Sequence, residues 1–169
     1  MRAVSPAGCG VALGLLLGCL AAGCALWRPE PLEVPPGHGA VLGRVELASP
    51  QMLNAALDIV RVDGTFDHAL MVSPGHRDFA IVLPRGAYRI VALRGFKEPQ
   101  EEHVTWPLRV GFEVTPATTA YIGTLRISPN FGPTVRVSVV DEYEDTLRTL
   151  RGLYPDLPQT IVRRLMTPS

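Results

Sequence analysis

From Gly39 to Asp141 apolar residues recur at every second position, a period that admits β-strands and excludes amphipathic helices. Strands are expected at 40–47, 56–62, 65–72, 78–83, 87–93, 108–114, 119–127 and 134–140. Within the second, Leu57 and Ile59 oppose Asp58, Val60 and Val62; within the fourth, Phe79, Ile81 and Leu83 share one face. Turn residues separate the runs. Asp63-Gly64 supplies the positive φ of a tight hairpin, and Ser73-Pro74-Gly75 closes the third strand. Pro84-Arg85-Gly86 reads as a turn after which 87–93 returns antiparallel. Gly43, Gly111 and Gly123 stand inside strands, where glycine marks a bulge or a close backbone approach. No helical stretch interrupts the series, which argues against βαβ units. The expected fold is mainly β, an antiparallel β-sandwich of about seven or eight strands with a short C-terminal helical segment. Residues 39–140 are long enough for one such core. With 47% of the chain hydrophobic, it is not a disordered sequence.

The first 23 residues read differently. Met1 and Arg2 precede an apolar run from Val11 to Ala22, shorter than the roughly 20 residues a spanning helix needs. Small residues then precede a cysteine, the layout of a secretory signal. Leu20-Ala21-Ala22-Gly23-Cys24 resembles the lipobox of bacterial lipoproteins, with Ala21 where that family favours Leu. The resemblance implies cleavage before Cys24 and acylation of Cys24 by diacylglycerol and a further acyl chain. Leu16-Leu17-Gly18-Cys19 is a rival with Leu in that place, at the cost of a shorter apolar run. The chain has three cysteines, Cys9, Cys19 and Cys24, so residues 25–169 carry no thiol, as suits an oxidising compartment. Ala25, rather than Asp, follows Cys24. By the sorting rules of enterobacterial lipoproteins this implies the outer membrane, facing the periplasm. The partner implied is the lipid bilayer, reached through acylated Cys24.

Residues 24–38 form a lipidated cysteine and Pro-rich tether. Pro29, Pro31, Pro35 and Pro36 remove backbone donors and favour extended chain, so the segment reads as a semi-rigid stalk of roughly 40 Å. The alternative is a strap along the domain, with Trp27 or Val34 buried.

Within the sandwich, Gly43-Arg44-Val45, Ala56-Leu57-Asp58-Ile59 and Asp78-Phe79-Ala80-Ile81-Val82-Leu83-Pro84-Arg85-Gly86-Ala87-Tyr88 resemble the carboxypeptidase regulatory-like family. Its members are transthyretin-like (prealbumin-like) β-sandwiches marked by a strand, Leu-Pro-x-Gly-x-Tyr and a second strand. The likeness covers 43–93. It departs at Ser73-Pro74-Gly75-His76-Arg77-Asp78, where the family has Thr-Asp-x-x-Gly before the phenylalanine. It implies a structural or binding module with no catalytic residues to carry over.

Residues 141–169 read as a helical tail. Asp141 and Glu144 have capping-box spacing, Tyr143, Leu147 and Leu150 share a face, Glu144 and Arg148 form an i,i+4 pair, and Gly152 ends the helix. A second helix is expected from Asp156, with Ile161, Leu165 and Met166 on one side. The pair would cover one end or edge of the sandwich, or dock on a partner or an anionic membrane.

Chemistry is sparse. Sixteen basic residues balance 16 acidic ones, which leaves no electrostatic footprint for nucleic acid. His38, His68, His76 and His103 form no H-x-H or H-E-x-x-H spacing, and there is no C-x-x-C, G-x-S-x-G or phosphate-loop motif. No enzyme, cofactor or metal site is expected. The longest connection, 96–107, carries His103 and Trp106, the candidate binding residues; an exposed indole there would stack on a sugar or anchor a partner. The leading expectation is a monomeric, membrane-anchored envelope lipoprotein that acts as a non-catalytic binding or structural module with a protein partner. The alternative is a glycan- or small-ligand-binding domain that uses the 96–107 loop.

Overall fold

The structure is a computed structural model that describes residues 31–49, 52–65, 67–97, 102–129 and 134–169. All eight expected strands form: β1 (His38–Leu47), β2 (Met52–Arg61), β3 (Asp67–Val72), β4 (Gly75–Pro84), β5 (Gly86–Lys97), β6 (Glu102–Val114), β7 (Thr119–Pro129) and β8 (Val135–Val140). One helix, α1 (Tyr143–Leu153), and two short strands, β9 (Val162–Arg163) and β10 (Thr167–Pro168), follow. The first sheet has the order β4-β1-β7-β8, with β9 also on β7; the second runs β10-β6-β5-β2-β3. The protein is therefore a mainly β sandwich with one short helix. Pairing is mostly antiparallel, but β1–β7 and β7–β9 are parallel.

The main core lies between the sheets. Val41, Leu57, Leu83, Tyr88, Leu93, Ile122 and Leu125 are all at most 1% exposed in it. Alternation puts them there: β6 buries Trp106, Leu108, Val110, Phe112 and Val114 and turns the residues between them outward.

Strict alternation fails in β7. The register passes from Leu42↔Tyr121 to Arg44↔Thr124, so β7 holds one residue more than β1. The extra residue lets Ile122 and Leu125 both face the core. Gly123 sits there at φ +99°, and a Cβ on Gly43 would lie 2.7 Å from the Phe79 ring and 3.0 Å from the Gly123 carbonyl. The bulge therefore needs both glycines. Gly111 has no such constraint, since its nearest neighbour to an added Cβ is 3.8 Å away.

Pro84-Arg85-Gly86 does not make a hairpin. β4 belongs to the first sheet and β5 to the second, so the turn carries the chain from one sheet to the other. Tyr88, 1% exposed, holds the corner by donating its hydroxyl to the Pro84 carbonyl at 2.8 Å. This explains the Pro-x-Gly-x-Tyr spacing: the ring stacks on Phe112 in the core while its oxygen reaches back to the strand just left. Asp63-Gly64 does form the expected hairpin, between antiparallel β2 and β3.

The tail departs most from expectation. Helix α1 lies on the outer face of the first sheet, where Leu147 and Leu150 pack with Leu42 of β1, Tyr121 of β7, Leu157 and Ile161. Each of these burials contributes about 1.5–3 kcal/mol. No capping box forms. Glu142 is the N-cap but makes no side-chain capping bond to the helix, and its backbone N–H donates to the Tyr121 hydroxyl at 2.8 Å. Asp141 instead accepts the Tyr143 N–H at 3.1 Å. Gly152 lies inside the helix, Arg148 pairs with Asp145, and Glu144 pairs with Arg163 of β9.

The second helix does not form. Pro155 and Pro158 remove donors, and residues 161–169 run extended. Extended chain sends the three expected neighbours apart: Ile161 to the outer cluster, Leu165 to solvent at 43% exposure, and Met166 into the main core. Arg164 and Met166 donate backbone N–H groups to the Tyr121 and Ile122 carbonyls, and β10 pairs with Val110 and Gly111 of β6. The tail is thus a strap from the first sheet to the second.

The tether also differs over its described part. Leu32 is half-buried against the outer cluster, while Val34 is 37% exposed. Gly37 accepts the Arg85 N–H at 2.9 Å. Leu32 and Gly37 therefore touch the domain, while residues 31 and 33–36 are exposed.

Candidate binding surface

Cys24 and the rest of the lipobox lie outside the described residues. The two other candidate residues fall in one strand with opposite fates. The expected 96–107 connection is mostly a hairpin: Phe96 pairs with His103 and Leu93 with Trp106, which leaves only 98–101 between β5 and β6. Trp106 points inward, is 5% exposed and belongs to the main core. It is not the exposed aromatic platform that a loop position suggested. Position in the strand decides this, because residue 106 shares its face with Leu108, Val110 and Phe112.

His103, three residues earlier, has the outward phase and is exposed. It lines a shallow cleft of about 250 Å³ on the outer face of the second sheet with Ala56, Met71, Arg94, Gly95 and Thr105. The cross-strand register assembles it: Met71 lies opposite Ala56, Ala56 opposite Arg94, and Arg94 opposite Thr105. The next row reads Ala69, Asp58, Ala92 and Pro107. Small side chains leave this face low, and Met71 stands above it at 52% exposure. Arg94 grips Asp58 through two guanidinium nitrogens, at 2.5 and 2.7 Å. That hydrogen bonding, with the attraction of Asp58, raises the pKa of Arg94. The cation is neutralised locally, so the cleft offers contact area more than net charge. At the sheet edge Arg77 donates to the Met71 carbonyl at 2.6 Å, covering an acceptor that another strand would otherwise use.

A second polar constellation escaped sequence reading. On the outer face of the first sheet Arg44 binds Asp78 at 2.5 and 3.1 Å and approaches Glu142 at 3.5 Å. Arg126 bridges Glu142 and Glu46, and Thr124 donates to Glu142 at 2.9 Å. Hydrogen bonding to Asp78 raises the pKa of Arg44, against an opposing effect of burial. These groups come from β1, β4, β7 and the residue before α1. Sequence separation hides them; only the pairing of Arg44 with both Asp78 and Thr124 brings them together. Their bonds are spent on one another and on the helix start, which makes the cluster a clasp for α1. Among the described residues, no group of three His, Cys, Asp or Glu side chains is placed to hold a metal ion. No helix among the described residues is long and apolar enough to cross a membrane.

Comparison with protein-family models finds no match, and comparison with curated proteins finds no similar sequence.

Proposed function

We propose that this chain is a lipid-anchored bacterial envelope lipoprotein whose β-sandwich is a non-catalytic module that holds a protein partner near the membrane. The observation that carries the reading is Leu20-Ala21-Ala22-Gly23-Cys24 at the end of an apolar run, with every cysteine of the chain at or before Cys24. Ala25 favours the outer membrane, facing the periplasm. Acylation supplies the attachment: one chain binds a bilayer only marginally, and two or more hold it stably. Membership of the carboxypeptidase regulatory-like, transthyretin-like group is part of the proposal. It is supported by the sandwich and by Pro84-Arg85-Gly86-Ala87-Tyr88 acting as a corner closed by the Tyr88–Pro84 hydrogen bond.

The binding half of the reading rests on the bare face of the second sheet. Ala56, Ala69 and Ala92 make it low, and Met71 and His103 give it exposed contact groups. A low sheet face with an adaptable methionine suits protein contact better than a small buried ligand.

Metabolic labelling with an acyl donor tests the anchor. Wild type is expected to label and Cys24→Ala to lose the label; undiminished labelling would move the anchor to Cys19. In-cell crosslinking from native membranes tests the partner. One dominant crosslinked protein, lost in Cys24→Ala, supports the adaptor role. A membrane-bound protein with no crosslinked partner argues against it.

A further inference from the structure

The side of β6 that faces away from β5 is an unfinished sheet edge. β10 pairs there, antiparallel, with Val110 and Gly111 only, and Ser169 donates its backbone N–H to the Arg109 carbonyl at 2.8 Å. From Leu108 back to Glu102 no strand among the described residues pairs with that side of β6. Alternation along β6 is unbroken from His103 to Val114, so the backbone groups of Thr105 turn the same way as the Arg109 carbonyl. Pro107 shares that phase, and proline, which has no N–H, belongs on an edge. β10 itself shows that this edge accepts an extended antiparallel segment.

The cleft on the outer face opens onto the same edge. It has a volume of about 250 Å³ and is bounded on β6 by His103 and Thr105. Its floor is low for a physical reason. Arg94 stands opposite Ala56 and Thr105, whereas Asp58 stands opposite Ala92, two residues along β5. The ion pair draws the guanidinium out of its own row and leaves Ala56 and Gly95 lining the cleft. Met71, 52% exposed, walls the far side. A residue placed opposite Thr105 on an added strand has its side chain on this face, beside the cleft. The volume suits one large apolar side chain, and Asp58 already neutralises Arg94, the cation there.

We propose that the protein partner is held by strand addition: an extended segment of the partner pairs antiparallel with β6 along 103–107, in line with β10, and sets a large apolar side chain into the cleft beside Thr105. This rests on the reading that the second sheet holds a protein. Main-chain bonds to the edge supply affinity, and the cleft supplies the choice of side chain.

The test uses the full lipidated chain in phospholipid nanodiscs, with a phage-displayed library of short random peptides as the probe. Selected peptides are expected to alternate apolar and polar residues and to require one large apolar residue near the middle. A bound peptide should slow hydrogen exchange at the Thr105 amide severalfold. Thr105→Pro removes that donor from the edge, and Ala56→Phe fills the cleft. Each should weaken peptide binding severalfold with the unfolding midpoint close to wild type, while Thr105→Val, which keeps the N–H, should bind normally. A Thr105→Pro chain that fails to fold would place that N–H in the β5–β6 ladder and overturn the edge assignment. No enriched peptide, or equal binding to wild type and Thr105→Pro, would overturn strand addition. A wild-type dimer that Thr105→Pro dissolves would give the edge to a second copy and overturn it as well. Failure of the parent reading shows elsewhere: crosslinking in native membranes then captures no partner, whatever the peptides do.

Discussion

The two sheets share strand geometry and one core, yet their outer faces are treated in opposite ways. The first sheet is covered. Leu42 and Tyr121, both fully buried, face α1 and the strap, and a clasp of arginines and carboxylates closes the rest. Among the described residues nothing packs on the outer face of the second sheet, which carries alanines, Met71, His103 and the Asp58–Arg94 pair. The covered sheet needs apolar residues on both faces of its central strands, so residues 39–43 of β1 are buried without a break. In the uncovered sheet β6 keeps a clean alternation, while β5 breaks it at a bulge that lets Ile90 and Leu93 both face the core. What an outer face carries thus reports what lies on it, and a face left low and uncovered is available to a partner.

Substitutions can sharpen or break this contrast. The largest effect is expected from Leu42→Asp, which puts a carboxylate under α1. It should cost more than about 4 kcal/mol or abolish cooperative unfolding in denaturant. A well-folded variant with unchanged midpoint would mean that the helix does not stay on this face. Trp106→Ala should follow, with a loss of about 3–5 kcal/mol from the main core. His103→Ala, three residues away on the other face, should shift stability by less than about 0.5 kcal/mol; equal losses would undo the assignment of the two faces of β6.

Arg44→Met should cost about 2–3 kcal/mol, because it strands Asp78, whose side chain is 5% exposed. The double variant Arg44→Met/Asp78→Leu should regain much of that, and no recovery would locate the cost in packing rather than charge. Tyr88→Phe should lose about 1 kcal/mol with the bond to Pro84. It should also change the alkaline limb. Burial raises the Tyr88 pKa, with Arg61 and Asp63 acting in opposite senses. Its contribution is complete below the unfolded value near 10 and is lost as pH climbs toward the folded value. A denaturation series at high pH should show a shallower loss in Tyr88→Phe. The smallest effect belongs to Ala69→Asp on the bare face, within about 0.5 kcal/mol of wild type.

Much of the strand layout was legible because a half-buried strand writes its face into a period of two. Hairpin Asp63-Gly64 and glycines 43 and 123 were legible for a related reason, since backbone geometry there demands particular residues. The candidate site was legible only in part. His103, expected in a loop, is an exposed residue of strand β6. Trp106 was misplaced because Pro99 and Pro107 and a charged run mimic a loop, while its phase with Leu108 and Val110 placed it inside. The helical tail misled because Ile161, Leu165 and Met166 have helical spacing, yet two prolines and free carbonyls on β7 and β6 favoured an extended strap.

Local pattern by itself determined eight of the ten strands found among the described residues, where most of them turn, the first of the two helices expected after them, and that the cysteines are confined to the first 24 residues. Those features depend on side-chain alternation and turn chemistry over a few residues. Tertiary structure alone decided that Pro84-Arg85-Gly86 crosses between sheets, that β1 and β7 run parallel, that α1 covers a face rather than an end, and that Arg44 meets Asp78 and Glu142. Each of these depends on which strand lies beside which, a choice made by the joint burial of distant apolar faces and absent from any short window of sequence.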